Sequence, residues 1–545
     1  MIFHPVFSII FFTLIMFLVK KQSTLFKFIA LASPILSLIF LILSQGEYSY
    51  ELYNVKLIWL IDDYNKLIGT AFLIVLLVSN SYALGQKKYY EIIFGSAYGA
   101  SIFVSLLAKD FISMFVGLEI MMITSSIIIF IGNTAKSGQA AKKYFLTHLI
   151  SSSMILIGIT HIISKSNSTE MKLVTDLFNN PEYSSIILYT MFIGMIINIA
   201  AFPFSGWMVN YYKEASSSGS LYLINFTTKL SIILLIKVFA GFEILKYISL
   251  IMVIYAGAKA LYEDNIFALL CYLSIISMGI MILGISSGDK TTLLPLFYYL
   301  FIHIIYKCLF TIISATLRDR IKITLCSELA KFQNKTLLIS ALIGVSLMLN
   351  IPFSLSFYSK IELTHLFSNS FFYIIILLAS IVNIVSIPWQ ELTKTSKIIK
   401  LRIDFYNKLS LILISIIAII AGFGWLLVPF SNSLSTYKIN IYFYEIIKQA
   451  AIYAISGIIV FSFKRKRKTG KDFNILEYID DFACYLYKSR KKYDTEKLVQ
   501  EKWRLDVLEE QIIKKLSIFH NQQTAIFFVI SLLITILYIL IFNPH

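Results

Sequence analysis

MIINIAAFPFSGWMVNYYKEASSSGSLYLINFTTK, residues 195–229, sets Asn198 in an apolar run, follows it with the helix-interrupting Pro203, passes through a polar turn from Asn210 to Ser220 and ends on Lys229. Unpaired backbone is forbidden against lipid, so an interrupted apolar helix survives only inside protein or beside water. Ionisable groups at such a place mark ion pathways. The stretch predicts a route for ions through a helical membrane protein.

The remaining composition agrees. Of the 545 residues 58% are hydrophobic and 14% charged, and mean hydropathy is +0.77, far outside the range of soluble domains. The formal charge of +17 does not indicate nucleic acid, because the basic residues fall in short clusters between apolar runs, as positive-inside loops do. The four cysteines, Cys271, Cys308, Cys326 and Cys484, lack CxxC spacing, so neither a disulfide framework nor a metal cage is expected. The opening run Ile2 to Val19 has no basic start and no small-residue cleavage site, and reads as a first membrane helix rather than a removed signal. No phosphate loop, dinucleotide fingerprint, HExxH or haem motif occurs, so no cofactor, redox chemistry or nucleotide hydrolysis is expected in this chain.

At about 20 apolar residues per crossing, about sixteen spans are expected, at roughly 2–19, 26–44, 66–84, 90–108, 111–131, 144–164, 185–207, 219–240, 242–260, 266–286, 292–317, 337–360, 370–388, 408–428, 445–463 and 523–542. Lys20 and Lys21, Lys87 and Lys88, Lys136 with Lys142 and Lys143, Arg318 to Lys335, Lys394 to Lys408 and the basic 464–515 segment fall on one side. Glu47, Glu51, Asp62 and Asp63 fall on the other. The basic side should be cytoplasmic, with both termini facing outward. Between about 466 and 520, Leu498, Leu505, Leu508, Ile512, Leu516 and Phe519 recur at helical spacing against a charged face. That pattern suits an amphipathic helix lying along the membrane or its neighbours, or else a helical hairpin or basic tail.

Two sites echo each other: FPFSGW at Phe202 to Trp207 and IPFSLS at Ile351 to Ser356. Paired interrupted helices in two halves point to an inverted-repeat transporter, although three shared residues can also be coincidence. Ionisable residues gather around them. Glu119 in FVGLEIMMI should face the bundle interior, as a proton carrier or as an interhelix hydrogen-bond partner. Lys229 lies deep, where an amine removed from water can release and regain a proton near neutral pH, whereas Lys237 on the same helix is near enough to its end to snorkel. His303 and Lys307 stand four apart on one helix face, a coupling suited to passing one proton. Lys360 either closes a second half-path or snorkels; the lone His161 reads as a packing residue.

The blocks AKDFISMFVGLEIM, AAKKYFLTHLISSSMILIGI, AAFPFSGWMVNYYKEASSSGS, FTTKLSIILLIKVF, ALYEDNIFALLCYLSIISMGIMILGI, IHIIYKCLF and SLMLNIPFSLSFYSK, in this order over about 90–360, resemble the proton-conducting antiporter family. That family is shared by the membrane arm of NADH:quinone oxidoreductase and the multisubunit Mrp-type cation/proton antiporters, and among the Mrp components the D-type one is the nearest resemblance. The resemblance implies an all-α polytopic membrane protein with a core of about fourteen helices, two inverted half-channels and a polar central axis. It implies that Glu119, Lys229, His303, Lys307 and Lys360 occupy the proton path. The expected organisation is N-terminal helices over 1–89, the antiporter-like core over 90–430, and a final part over 431–545 with one span, the basic amphipathic segment and a last span.

Departures from the family pattern are specific. Asn198 stands where a lysine that normally pairs with the carboxylate at Glu119 is expected, Ser205 where a histidine is, and Phe267 and Ala268 where a basic pair is. Asparagine cannot exchange a proton, so Lys229 with Glu119 nearby carries the proton alone or this half is a scaffold. The resemblance implies an ion-translocating component of a bacterial-type inner membrane, sitting in the lipid bilayer among other membrane subunits and moving protons with exchange of Na⁺ or K⁺. The rival readings are a membrane-arm subunit of a NADH:quinone oxidoreductase and a structural subunit that has lost transport.

Overall fold

The fold comes from a computed structural model, which describes residues 4–473 apart from 22, 53–54, 133, 332–333, 369, 393–403, 425–442 and 463–466, together with residue 475. Residues 1–473 form one compact unit and 474–545 a second. The expected span at 523–542 and the apolar stripe from Leu498 to Phe519 lie outside the described residues. The start of that amphipathic segment is described, and it is not helical: residues 467–473 run as an extended strap.

In order, the elements are α1 (Pro5–Leu18), α2 (Thr24–Leu43), β1 (Gly46–Leu52), β2 (Val55–Ile61), α3 (Asp63–Gly85), α4 (Tyr89–Leu107), α5 (Phe111–Phe130), α6 (Ser137–Ser166), α7 (Val174–Leu177), α8 (Ser185–Asn198) and α9 (Gly206–Tyr212). Then follow α10 (Ser217–Asn225), α11 (Thr227–Phe239), α12 (Ile244–Tyr262), α13 (Ile266–Ile285), α14 (Leu293–Ile321), α15 (Lys335–Met348), α16 (Leu355–Leu366), α17 (Tyr373–Ser386), α18 (Trp389–Leu392), α19 (Phe405–Gly422) and α20 (Phe443–Ser462). Among the described residues, eleven helices are long and apolar enough to cross a membrane, taking α10 and α11 together. The shorter apolar helices α1, α8, α15 and α17 fill the other expected positions. Helix α13 is buried on every face and apolar all round, as the centre of a membrane bundle should be. Outer helices turn residues such as Phe28, Ile186 and Ile458 outward, where lipid rather than water suits them.

Polar caps start many of these helices. Asp62, Asp110, Ser216, Asn265, Asn334 and Ser354 each accept a hydrogen bond from the backbone N–H three residues on. The antiparallel hairpin β1–β2 is an addition to the all-α expectation, which assigned no structure between the second and third spans. Asp110 anchors it by accepting from the Ile58 N–H at 2.7 Å, and Lys109 joins Glu47 and Glu170 at 2.8 and 2.9 Å. The Lys109 ammonium holds the exposed Glu47 carboxyl below its ordinary range.

Three interruptions shape the interior. At the end of α8 the Ala200 N–H bonds the Ile197 carbonyl and the Ala201 N–H the Ile196 carbonyl, with Ala200 at φ 55°. At the end of α15 the Asn350 N–H bonds Leu347 and the Ile351 N–H bonds Ser346, with Asn350 at φ 57°. Both are Schellman closures. The chain therefore ends these two helices in the same way before each Pro-Phe-Ser, with one residue fewer in the second connection. The third interruption, at Phe226 between α10 and α11, falls inside what the sequence reads as a continuous span at about 219–240. No proline or glycine marks the spot, and the hydropathy of the whole run reads straight through it.

Helices α4 and α5 approach closely at Gly117, two residues before Glu119. A Cβ there would stand 2.1 Å from Ser105 Oγ and 2.8 Å from the Ser101 carbonyl. Gly117→Ala should therefore force the helices apart and cost about 1–3 kcal/mol, as overpacking does. Thermal denaturation of the detergent-solubilised protein checks this, with a lowered midpoint expected.

Candidate functional site

Each interruption leaves buried backbone groups that need partners, and side chains converge on them. At the α10–α11 junction the Lys229 amine donates to the Ile224 carbonyl at 2.6 Å and to Thr228 Oγ1 at 3.3 Å. The Thr227 N–H donates to Tyr98 Oη at 3.0 Å. Thr227 Oγ1 accepts from Tyr212 at 3.0 Å and also hydrogen-bonds Tyr98, so hydroxyls cluster at a position two residues before the lysine. Lys229 is fully buried, as the sequence predicts.

His303 and Lys307 are both fully buried on α14 but do not bond each other. The Lys307 amine donates to the Leu270 carbonyl of α13 at 3.0 Å, while His303 Nδ1 pairs with Tyr306 Oη at 2.7 Å. Tyr306 in turn meets Ser277 Oγ at 3.3 Å. Among the described residues His303 Nε2 has no partner. The i, i+4 pair expected from spacing is thus split between two neighbours, because α13 offers an acceptor to the longer side chain.

Lys360 does not snorkel. It is buried on α16 and donates to Gln449 Oε1 of α20 at 3.0 Å. Gln449 Nε2 and Tyr453 Oη each donate at 3.0 Å to the Leu349 carbonyl, and Tyr453 also reaches the Asn350 carbonyl at 3.1 Å. Helix α20 therefore seals the second interruption and holds Lys360 with the same amide. Lys237 also finds protein rather than an interface: its amine caps α4 by bonding the Leu106 and Ala108 carbonyls, at 2.5 and 2.9 Å. His161 accepts from the Ser184 N–H at 3.0 Å, in keeping with a packing role.

Glu119 is half-buried on α5, with Ser152 of α6 within hydrogen-bonding reach and Oε1 without a partner among the described residues. Among the described residues no hydrogen bond or ion pair joins it to Lys229. The position of Asn198 is taken up differently. Its Oδ1 meets His148 Nδ1 of α6 at 2.8 Å, and the buried imidazole packs at 4.4 Å from the Tyr144 ring and 4.5 Å from Trp207. Trp207 Nε1 satisfies the Ile197 carbonyl at 2.8 Å. His148 is a titratable group that sequence reasoning passed over. Its only signal is a lone histidine within FLTHLISSS, opposite an asparagine that needs a partner. Two other departures also find compensation: Ser205 donates its hydroxyl to Asp472 of the strap at 2.7 Å, and the Arg318 guanidinium sits 4.5 Å above the Phe267 ring.

If Asn198 and His148 act as a pair, Asn198→Leu and His148→Leu should each destabilise the protein by about 1–3 kcal/mol through an orphaned buried group. The double variant should lose less than their sum, by about 1 kcal/mol or more. Thermal melts of the four proteins in detergent measure that coupling.

Residues 108–386, more than half of the chain, match the family described as NADH:quinone oxidoreductase/Mrp antiporter, TM. NADH-quinone oxidoreductase subunit N 1 of Thermodesulfovibrio yellowstonii is 30% identical over 256 residues, 44% of this chain and 54% of that relative. Subunit N 2 of Solibacter usitatus is 25% identical over 258 residues, 44% of this chain and 52% of its own length. Subunit M of Rickettsia conorii is 29% identical over 228 residues, 39% and 45% of the two chains. The chain thus spans about half the length of the curated relatives it matches. All three are oxidoreductase subunits, where the sequence motifs point to the D-type component of Mrp antiporters. In fold, the chain is similar to a subunit of respiratory complex I from Thermus thermophilus, with TM-score 0.65 and 16% identity over 78% of this chain and 98% of that one. A chain of the Mrp complex from Dietzia sp. gives TM-score 0.64 and 13% identity over 84% and 95%. The chain belongs to the NADH:quinone oxidoreductase/Mrp antiporter transmembrane family.

Proposed function

We propose that the chain translocates protons across the membrane by way of its helix interruptions, as one membrane subunit of a larger complex. One observation carries this reading: Lys229, Lys307 and Lys360 are buried in an apolar bundle, and their amines bond only neutral oxygens. Among the described residues none of the three has a carboxylate within ion-pair distance. An amine so held is costly as a fixed charge and useful as one that comes and goes.

Lys229 is the central station, with His303 and Lys307 on the adjoining helix and Lys360 at the second interruption. Glu119 serves the first half together with His148, whose imidazole supplies at Asn198 the proton-exchanging chemistry that asparagine lacks. That pairing favours a conducting first half over a scaffold. Curated relatives that are oxidoreductase subunits N and M favour a place in the membrane arm of a NADH:quinone oxidoreductase-type complex. A monovalent cation/proton antiporter is the second reading, supported by likeness in fold to a chain of an Mrp complex. The basic loops favour a bacterial-type inner membrane with both termini outward.

Vesicles carrying the native complex, with proton movement followed by a pH-sensitive dye, test the proposal. Lys229→Ala and Glu119→Gln should each lower flux by about tenfold or more at unchanged assembly, as loss of an acid–base group does. Unchanged flux in both overturns it. Dependence of the flux on added Na⁺ or K⁺ would select the antiporter reading, and dependence on NADH oxidation the other.

A further inference from the structure

The strap at residues 467–473 brings a buried acid to the first interruption. Its course is fixed by backbone and by one arginine. The Lys468 N–H donates to the Tyr262 carbonyl at 2.7 Å and the Asp264 N–H to the Lys468 carbonyl at 3.3 Å. Arg467 donates at 2.9 Å to each of the Glu263 and Ser386 carbonyls. Further along the strap, Asp472 is 3% exposed. Its Oδ2 accepts from Ser205 Oγ at 2.7 Å, and its Oδ1 from Tyr255 at 2.6 Å and Tyr272 at 2.9 Å. Asn210 clasps its backbone in both directions, at 2.9 and 3.1 Å.

The two interruptions treat their serines differently. Ser354 caps its own helix by accepting from the Phe357 N–H at 3.2 Å. Ser205 makes no such cap and gives its hydroxyl to Asp472 instead. Anchoring alone does not require a carboxylate, since the Asn210 clasp already holds the strap and a buried acid costs more than a neutral side chain. Among the described residues no lysine or arginine pairs with it. The titratable and charged groups facing it are Tyr255 of α12, with Lys259 5.7 Å from its ring centre, Tyr272 and Cys271 of α13, with Glu263 within electrostatic range of Tyr272, and Lys471, which precedes it in the strap. Tyr272, which donates to Asp472, is the residue after Cys271 on α13, and the Cys271 thiol is within electrostatic range of Lys229.

We propose that Asp472 is a proton-exchanging group of the transport path, delivered by the strap to the break where Ser205 stands. The proposal rests on the reading of the chain as a proton carrier. The carboxylate takes a proton from water on the basic face and becomes a donor, and one of the three hydroxyls turns to accept from it. Release of that proton toward the Lys229 side restores the starting arrangement, with no other bond made or broken.

The test uses vesicles of the native complex, with proton flux recorded from about pH 3.5 to 8.5, a range that brackets ordinary carboxylate and imidazole titration. Asp472→Asn keeps the shape and most of the hydrogen bonds. It should assemble normally and lower flux by about tenfold or more, while Asp472→Glu recovers part of the loss. Wild-type flux in Asp472→Asn, with flux lost in Lys229→Ala or Glu119→Gln, overturns this proposal alone; wild-type flux in all three overturns the underlying reading. Tyr272→Phe supplies a second arm should Asp472→Asn fail to assemble. Removing one donor to the carboxylate should move the midpoint of flux to higher pH, which a merely structural acid would not do, and an unmoved midpoint overturns the proposal.

Discussion

Every backbone group in a lipid-embedded bundle has to be answered from within the protein. Where α8, α10 and α15 stop short, carbonyls and N–H groups are released into an apolar interior, and what answers them defines the site. Trp207 takes one carbonyl of α8, Lys229 one of α10, Tyr98 the first free N–H of α11, and Gln449 with Tyr453 the end of α15. The polar side chains are therefore held by the breaks, and the breaks are stable because of them. Without the break at Phe226 the Ile224 carbonyl would not be free for the Lys229 amine.

Periodicity and apolar length make the helices legible, because the demand for about 20 apolar residues per crossing is strong and local. The breaks at Pro203 and Pro352 are legible for the same reason: proline removes a donor and obstructs the preceding turn. The break at Phe226 is not. It is set by tertiary partners, Tyr98 and Lys229, that come from a helix more than a hundred residues earlier and from the following turn. The β1–β2 hairpin is similarly hidden, its anchors Asp110 and Lys109 standing far from it in sequence.

Site residues divide along the same line. Lys229, Lys307 and Lys360 announce themselves as charges in apolar runs, and each is buried. Spacing along α14 suggests a His303–Lys307 pair, yet spacing says only that two side chains share a face, and α13 supplies a competing acceptor at Leu270. His148 and Asp472 escape sequence reasoning because their meaning depends on what faces them. A lone histidine and a lone aspartate in a basic segment carry no pattern until Asn198 and Ser205 are set opposite.

Gln449 has an orientation that only one arrangement permits. Its amide oxygen faces the Lys360 amine while its NH₂ faces the Leu349 carbonyl. Turned over, it would set donor against donor at one end and acceptor against acceptor at the other. The amide is thus a polarised bridge whose two ends cannot relax separately: a weaker pull on the oxygen from the Lys360 amine would also weaken the hold of the NH₂ on the end of α15. Charge on one side chain is in this way expressed as tension at a helix terminus, and α20 feels it without being titratable at that point itself.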